Sequence, residues 1–262
     1  MRQTLALIAL LCSATAALSQ QGVDDLRLLP GWRMENGRHM AALEIRLDPG
    51  WKTYWRHPGD AGIPPTFDWS GSENVEAVRI HWPAPEVFWQ SGMRSVGYRD
   101  GVVLPIEITP RHTGRPVDLK LAIDMGVCDD ICVPVSARSE IALSANHVRP
   151  DARIRFALAN RPLTGSEAEL SGVACDIRLT PKGAELTATL SMPSLGEGED
   201  VVFESGDPNL RLSDTYARRE GAKLLASVSI APPRGQPLMV DRSALRMTVV
   251  GSRGAAEIVG CD

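Results

Sequence analysis

Residues 117–143, VDLKLAIDMGVCDDICVPVSARSEIAL, form the stretch that decides which fold this sequence can adopt. Apolar and polar residues alternate on both sides of its centre, which is the pattern of a half-buried β-strand. Cys128 and Cys132 stand between the two runs with three residues separating them. The arrangement predicts a β-hairpin that carries the cysteines opposite each other at its tip. Directly opposed residues of antiparallel strands lie close enough for a disulfide.

A disulfide between Cys128 and Cys132 would close a very short loop. Stabilisation by a disulfide grows with loop length in the chain-entropy account, so this bond is expected to contribute little to stability. Exposed bridges are also the more easily reduced ones, which favours reversible chemistry at this pair. The carboxylates of Asp129 and Asp130 are expected to raise the pKa of the thiols, because nearby negative charge disfavours a thiolate.

Two other interpretations of the cysteine pair stay open. The bond can be a hairpin staple that never turns over. Alternatively, the two thiolates can hold Cu(I), a soft ion, with Met125 as a thioether ligand. A tetrahedral zinc site is disfavoured, because no further Cys or His lies within a few residues of the pair.

The same alternation recurs along the chain and predicts an all-β fold built of sandwiches. One segment holds two alternating runs joined by Pro181-Lys182-Gly183, which indicates a hairpin. The break at 146–172 contains one short helical stretch, DARIRFALAN. We therefore expect two β-sandwich domains, at 20–148 and 168–262, joined by a linker with a short helix at 149–167. The alternating runs are HMAALEIRL (39–47), VVLPIEITP (102–110), VDLKLAID (117–124), ARSEIALSA (137–145), CDIRLTPKGAELTATLSM (175–192), AKLLASVSIA (222–231) and ALRMTVVG (244–251).

The amino terminus has the features of an export signal. Arg2 precedes an apolar run, and Ala17-Leu18-Ser19 forms a small-x-small cleavage site, so residues 1–19 are predicted to be a signal peptide cleaved near Ser19. Cys12 is disfavoured as a lipid anchor, because Leu11 before it is not small. No later segment is long and apolar enough to span a bilayer. The mature chain is expected outside the cytoplasm, where disulfides form.

Charge and cysteine count narrow the function further. The formal net charge is -4 and no basic stripe is present, so nucleic acid is not expected as a partner. Four cysteines remain after the signal. Cys175 opens the first strand of the second domain and Cys261 is the penultimate residue. A bond between them is expected to be structural and to stabilise by about 4 kcal/mol.

The remaining conspicuous residues are given structural interpretations. Trp51, Tyr54, Trp55 and Trp69 are expected to pack in the core and at corners. HPGDAGIPP (57–65) supplies turn chemistry, with Asp60 as a residue that could shape a binding surface. His57 and His81 are isolated and have no paired nucleophile, so hydrolytic catalysis is not expected.

Three separated motifs resemble one known family. These are LDPGWKTYWRHPGDAGIPPTFDWSGSENV (47–75), VGYRDGVVLPIEI (96–108) and the cysteine hairpin followed by VP. Together they resemble the amino-terminal periplasmic domain of the DsbD-type thiol:disulfide interchange proteins, in the ScsB-like branch that is associated with copper tolerance. The resemblance covers roughly residues 25–145. Residues 165–262 are similar, more weakly, to the second β domain of ScsB-like proteins.

The resemblance implies an immunoglobulin-like fold and a redox-active pair at Cys128 and Cys132, without an organic cofactor. It implies a periplasmic protein that takes electrons from a membrane-embedded DsbD-, ScsB- or CcdA-like donor and passes them to thioredoxin-like clients. Cys132 would form the mixed disulfide with the client and Cys128 would resolve it. An aromatic cap shields the pair in the family, and PEVFWQSGMRS (85–95) assigns that role to Phe88 or Trp89.

Two departures from the family pattern shape the expectation. Better-known members have a longer spacer between the two cysteines. They also continue into membrane and thioredoxin-like domains, whereas this sequence stops at Asp262. We therefore expect a stand-alone relay served by a separate membrane protein, or a domain without its electron supply. A Cu(I) carrier and an interaction module with an inert bridge are the alternatives.

Overall fold

The computed structural model describes residues 21–60, 62–90 and 92–261, apart from the side chain of Asp214. The predicted signal peptide at 1–19 lies outside these residues. None of the described helices combines the length and apolarity that a bilayer crossing requires.

The first part of the chain forms two antiparallel sheets that face each other. One sheet has the strand order β1-β2-β8-β5, and the other has the order β10-β9-β3-β7-β6 with β4 paired to β9. The strands are β1 (Val23–Arg33), β2 (His39–Leu47), β3 (Lys52–Gly59), β4 (Thr66–Asp68), β5 (Val75–Ile80), β6 (Glu86–Gln90), β7 (Met93–Arg99), β8 (Gly101–Pro110), β9 (Val117–Cys128) and β10 (Cys132–Leu143).

Strict alternation decides which face of each strand enters the core between these sheets. Along β9, every second residue from Val117 to Val127 is buried in one apolar cluster, while Asp118, Lys120 and Asp124 face outward. Trp55 of β3 is fully buried in the same cluster. Burial of this apolar face is the main source of stability for such a sandwich.

A helix follows the first sandwich. Helix α1 (Ala152–Ala159) begins at Asp151, whose side chain accepts a hydrogen bond from the backbone N–H of Arg153 as an N-cap. Its buried residue Ile154 packs in a small cluster with Leu29, Met40 and Ala42 of the first sandwich. The helix occupies the stretch that the sequence analysis assigned to it.

The rest of the chain forms two further four-stranded sheets, in the orders β11-β18-β17-β14 and β12-β13-β16-β15. Strands β12 and β13 pair as the predicted hairpin, with Thr180 opposite Gly183 at its turn. The all-β class with two β-sandwiches in tandem is thus confirmed. The strands are β11 (Leu163–Thr164), β12 (Gly172–Thr180), β13 (Gly183–Ser191), β14 (Asp200–Glu204), β15 (Arg211–Glu220), β16 (Lys223–Ala231), β17 (Arg246–Gly251) and β18 (Gly254–Val259).

A disulfide between Cys175 and Cys261 ties β12 to the end of the chain, with the Cα atoms 5.8 Å apart. The two half-cystines are 86 residues apart in sequence. Cys175 and Cys261 both pack against the apolar core of the second sandwich. The bond therefore joins the first and last parts of that sandwich across its core.

Replacing Cys175 and Cys261 together by alanine is expected to lower the free energy of unfolding by about 4–5 kcal/mol, because the bond closes a long loop. The matched variant Cys128→Ala, Cys132→Ala is expected to lose only about 2 kcal/mol in the same account, because its loop is short. Denaturant unfolding of both variants measures the difference. If both variants lose the same free energy of unfolding, Cys175–Cys261 is not the disulfide that contributes most to stability.

Candidate functional site

The centre of the candidate site is the tip of the β9–β10 hairpin. Cys128 is the last residue of β9, Cys132 is the first of β10, and the two are direct cross-strand partners. Their Cα atoms lie 4.2 Å apart and their sulfurs form a disulfide. The three residues between them, including the 76 % exposed Ile131, make the loop at the tip. The disulfide therefore sits at an accessible end of the sheet.

The two half-cystines differ sharply in accessibility. Cys128 is 1 % exposed, whereas Cys132 is exposed to solvent. Cys128 lies on the outward face of β9, in series with Asp124 and Gly126, so its burial comes from side chains that cover this face. Thiol–disulfide exchange requires access to the sulfur that is attacked, and of the two residues Cys132 is the more accessible.

Tyr54 covers the disulfide from strand β3. Its hydroxyl oxygen is 2.6 Å from the Cys128 sulfur and 3.0 Å from the Cys132 sulfur. A disulfide sulfur carries no hydrogen, so the phenol is the donor in both contacts. Tyr54 is 3 % exposed, and this burial raises the pKa of its hydroxyl above the ordinary value. The phenol therefore keeps its proton at neutral pH and stays available as a donor.

The position of Tyr54 depends on two glycines. A Cβ atom at Gly126 would lie 2.9 Å from the Tyr54 ring, and one at Gly62 would lie 2.6 Å from it. Both distances are far below ordinary contact, so the ring lies directly against the two backbones. Ile63 also approaches Gly126 closely on the same side. The ring is thus packed between β9 and the turn-rich segment that follows β3.

Tyr54 is buried, as its predicted packing role requires, and its hydroxyl also contacts both sulfurs, which the sequence did not predict. The alternation of side chains along β3 was enough to predict which face of the sheet Tyr54 occupies. Trp55 points into the core, so Tyr54 must point to the opposite face. The sequence carries no signal that Cys128 lies on that same face beside it, because the pairing of β3 with β9 is a long-range contact.

The predicted cap residues lie on β6, which pairs with β7 at the other edge of the same sheet. Phe88 is buried beneath two cations, with Lys52 5.6 Å and Arg99 5.0 Å from the centre of its ring. Trp89 is 64 % exposed. The contact with the hairpin loop comes from the next residue, Gln90, whose amide donates to the backbone carbonyl of Asp129 at 3.4 Å.

A cavity of about 330 Å³ separates the end of β6 from the cysteine loop. Phe88, Trp89 and Gln90 line one side of it, and Asp129 and Asp130 line the other. The shielding role of Phe88 or Trp89 stays a prediction, and the described contacts assign direct cover of the sulfurs to Tyr54.

Met125 does not join the two sulfurs. It belongs to the core-facing series of β9, is 2 % exposed, and has its sulfur 4.0 Å from the Thr53 hydroxyl oxygen. Cys128 lies on the opposite face of the strand. Within the described part of the chain, no group of three or more His, Cys, Asp or Glu side chains could hold a metal ion. The Cu(I) alternative is left with two sulfur ligands.

His57 and His81 lie in surroundings that do not include the disulfide. His81 contacts the carboxylate of Glu107 at 2.9 Å. His57 is partly buried near the second sandwich, and desolvation lowers its pKa, with Arg94 adding to the effect and Glu204 opposing it. Neither histidine has a hydrogen bond to either sulfur. The described contacts of the disulfide therefore involve the phenol of Tyr54 and no imidazole.

Changing Tyr54 to Phe is expected to raise the apparent pKa of the accessible thiol in the reduced protein by about one unit, because a thiolate loses a hydrogen-bond donor. The pH profile of iodoacetamide alkylation at Cys132 measures this shift. Tyr98→Phe is the matched control, since the buried Tyr98 hydroxyl donates to the carbonyl of Pro83, away from the sulfurs. A profile shared by the wild type and Tyr54→Phe would contradict a role for the phenol.

Comparison with known proteins gives a related family for part of the chain and a related fold for most of it. Residues 26–144 match the family described as "Thiol:disulfide interchange protein DsbD, N-terminal". A crystal structure of the N-terminal periplasmic domain of ScsB from Proteus mirabilis has the same fold, with 23 % identity and a TM-score of 0.66 over 90 % of this chain and 92 % of that chain. A search of curated proteins returned no match. Residues 26–144, which contain the paired Cys128 and Cys132, form a DsbD N-terminal-like domain.

Proposed function

We propose that this protein performs thiol–disulfide exchange through Cys128 and Cys132. The observation that carries the proposal is the asymmetry of the pair: an exposed Cys132 is bonded to a buried Cys128 under the hydroxyl of Tyr54. Such a pair offers one sulfur to a partner and keeps the other for resolution. The match of this segment to the DsbD N-terminal family supports the same reaction.

The reaction balances as a two-electron transfer. In the reduced protein, the Cys132 thiolate attacks one sulfur of a client disulfide, forms a mixed disulfide and releases the other client sulfur as a thiolate. The sulfur of Cys128 then attacks Cys132, which releases the second client thiolate and forms the Cys128–Cys132 bond. Two electrons and two protons pass to the client. A donor dithiol restores the reduced pair by the reverse exchange.

In this reaction, Tyr54 would act as a hydrogen-bond donor to the cysteine sulfurs. Its hydroxyl reaches both sulfurs, so it can donate a hydrogen bond to whichever sulfur carries negative charge. A hydrogen bond to a charged group is stronger than one to a neutral group. The phenol thus offsets the effect of the neighbouring Asp129 and Asp130, which disfavour a thiolate.

We infer the partners from the family and from the surface around the pair. The clients are thioredoxin-like proteins, the electron donor is a membrane-embedded protein, and the compartment is the periplasm after removal of the signal peptide. The matched structure is titled as a periplasmic domain, which supports this compartment. Exposed apolar side chains flank the pair at Ile63 and Ile131, and a client that covers them would bury apolar surface beside Cys132.

The described residues do not favour the Cu(I) alternative, because Met125 faces the core and, of the three ligands suggested for that site, the two cysteine sulfurs remain. An interaction module with an inert bridge is also disfavoured. An inert bridge gains nothing from the exposure of Cys132 or from a buried phenol that contacts both sulfurs. The bridge between Cys175 and Cys261 has the features of a structural one, since it packs on the second core.

A redox titration tests the exchange function directly. The mature protein is equilibrated across a glutathione or dithiothreitol series, and free thiols are trapped by alkylation and assigned by mass. We expect Cys128–Cys132 to titrate reversibly between about -120 and -270 mV, the range of exchange proteins. Cys175–Cys261 serves as the internal control and is expected to stay oxidised. If both bonds resist reduction equally, the exchange function is wrong.

Single cysteine variants test the two roles, and the probe is a thioredoxin that keeps one active-site cysteine, activated as a thionitrobenzoate mixed disulfide. Reduced Cys128→Ser is expected to release thionitrobenzoate and to accumulate a mixed disulfide through Cys132, because neither protein then has a second thiol that resolves the bond. Reduced Cys132→Ser is expected to form at least about tenfold less, because the remaining sulfur is buried. Non-reducing electrophoresis and mass spectrometry measure the adducts. Equal adduct yields from the two variants would contradict the assigned roles.

A further inference from the structure

The irregular part of strand β3 begins directly after Tyr54. Strand β3 pairs with β7 in register from Lys52 to Tyr54, and the pairing resumes only at Gly59, opposite Ser95. On its other edge, β3 pairs with β9 only at Lys52 and Thr53. Tyr54 is therefore the last residue of a regular ladder. Between Tyr54 and Gly59 the chain leaves the ladder, so its position depends on side-chain contacts, among them the burial of Trp55 in the core.

The second sandwich supplies further contacts of this kind through Arg56, two residues after Tyr54. The Arg56 guanidinium donates two parallel hydrogen bonds of 2.8 Å to the carboxylate of Glu204 on β14. It also lies 2.5 Å from the carboxylate of Glu257 on β18. Arg246 of β17 contacts the same Glu257 at 2.5 Å. These four side chains, Arg56, Glu204, Glu257 and Arg246, form what we call the latch.

A second ion pair holds the point where the β3–β7 ladder resumes. Arg94 of β7 is 2 % exposed, and its guanidinium donates to both carboxylate oxygens of Asp200, at 3.0 and 2.7 Å. The backbone carbonyl of the same Arg94 accepts a hydrogen bond of 2.9 Å from the N–H of Asp60. The interior of the irregular segment, at Arg56, and the strand against which the ladder resumes, at Arg94, are thus both connected to carboxylates of the second sandwich.

The environment makes these contacts strong. Three side chains of the latch, those of Arg56, Glu204 and Glu257, are each only about one-fifth exposed to solvent. Arg56 is also stacked on the ring of the fully buried Trp55, with 4.1 Å from its Cζ atom to the ring centre. Bidentate arginine–carboxylate pairs combine strength with fixed geometry. Removing one partner from a buried pair leaves an uncompensated charge, which is strongly destabilising.

We propose that the second sandwich is a positioning element of the redox site, and that Arg56 acts as a positioning residue that holds the Tyr54 hydroxyl on the sulfurs through the latch. This inference rests on the proposed exchange function and extends it. The second sandwich then has a part in the chemistry beyond supporting or docking the first. Its charge contacts determine how well the phenol stabilises a thiolate at the hairpin tip.

The test is a double-mutant cycle between the latch and Tyr54. The variant Glu204→Gln, Glu257→Gln keeps the shape of both side chains and removes their charge. We expect the midpoint of the pH profile for Cys132 alkylation by iodoacetamide to rise by about half a unit, roughly a threefold loss of thiolate at neutral pH. In the Tyr54→Phe background, the same two substitutions are expected to cause no further shift, because coupled residues are not additive.

The control is Glu185→Gln, which breaks the exposed pair between Glu185 and Arg178 in the same sandwich. It is expected to leave the alkylation profile unchanged. Asp200→Asn, which removes the Arg94 pair and keeps the latch, is the second test and covers the case in which the double variant does not fold. Thermal unfolding and the oxidation state of Cys175–Cys261 verify that each variant is folded.

The outcomes separate the two ideas. Folded latch and Asp200 variants with the wild-type profile would overturn the positioning inference, and so would equal shifts with and without the Tyr54 hydroxyl. Neither result bears on exchange with a client, because iodoacetamide is the only probe. The reverse result is also informative. If the wild-type protein fails to reduce oxidised thioredoxin, the exchange function is wrong. If the latch variants still shift the pH profile of Cys132 alkylation in that case, the positioning role stands.

Discussion

The alternation of side chains along strand β3 is the constraint on which the rest of this structure depends. Trp55 points into the core of the first sandwich, while Tyr54 before it points outward onto the disulfide. Arg56 after it reaches the carboxylates of the second sandwich. A slip of one residue would move every side chain to the opposite face. The core, the redox site and the contact between the sandwiches would then be lost together.

The two disulfides illustrate how the same bond serves different ends. Cys175–Cys261 spans 86 residues and lies against the core of the second sandwich, so it constrains the unfolded chain strongly. Cys128–Cys132 spans only 4 residues, and its first cysteine is shielded while its second is exposed. In the chain-entropy account, breaking the short bond costs less than half of what breaking the long bond costs. The short bond can therefore form and break in exchange chemistry at a smaller loss of stability.

The contact between the sandwiches combines an apolar centre with charged flanks. Val202, Val250 and Ala255 of the second sandwich belong to the apolar cluster of the first. The bidentate pairs Arg56–Glu204 and Arg94–Asp200 lie on the strands that carry or flank the redox site. Apolar contact favours association without fixing a direction, and the ion pairs select one orientation. This division explains how a remote sandwich can influence the position of a single phenol.

The sequence by itself determined the features that local pattern controls. Alternation predicted the all-β class and two sandwiches, turn residues predicted the hairpin at Thr180–Gly183, and the stretch DARIRFALAN predicted the short helix α1. The spacing of Cys128 and Cys132 predicted that they face each other across a hairpin, because the register of adjacent strands follows from the length of the turn.

Other features follow from the tertiary fold alone. Cys128 is buried, and the Tyr54 hydroxyl contacts both sulfurs. Gln90 lies against the cysteine loop. The tertiary fold also decided that Met125 faces away from the pair and that Arg56 binds residues about 150 to 200 positions later in the chain. Each of these depends on which distant strands lie side by side. Local alternation decides which face a side chain occupies, but only the long-range pairing of strands decides what lies against that face.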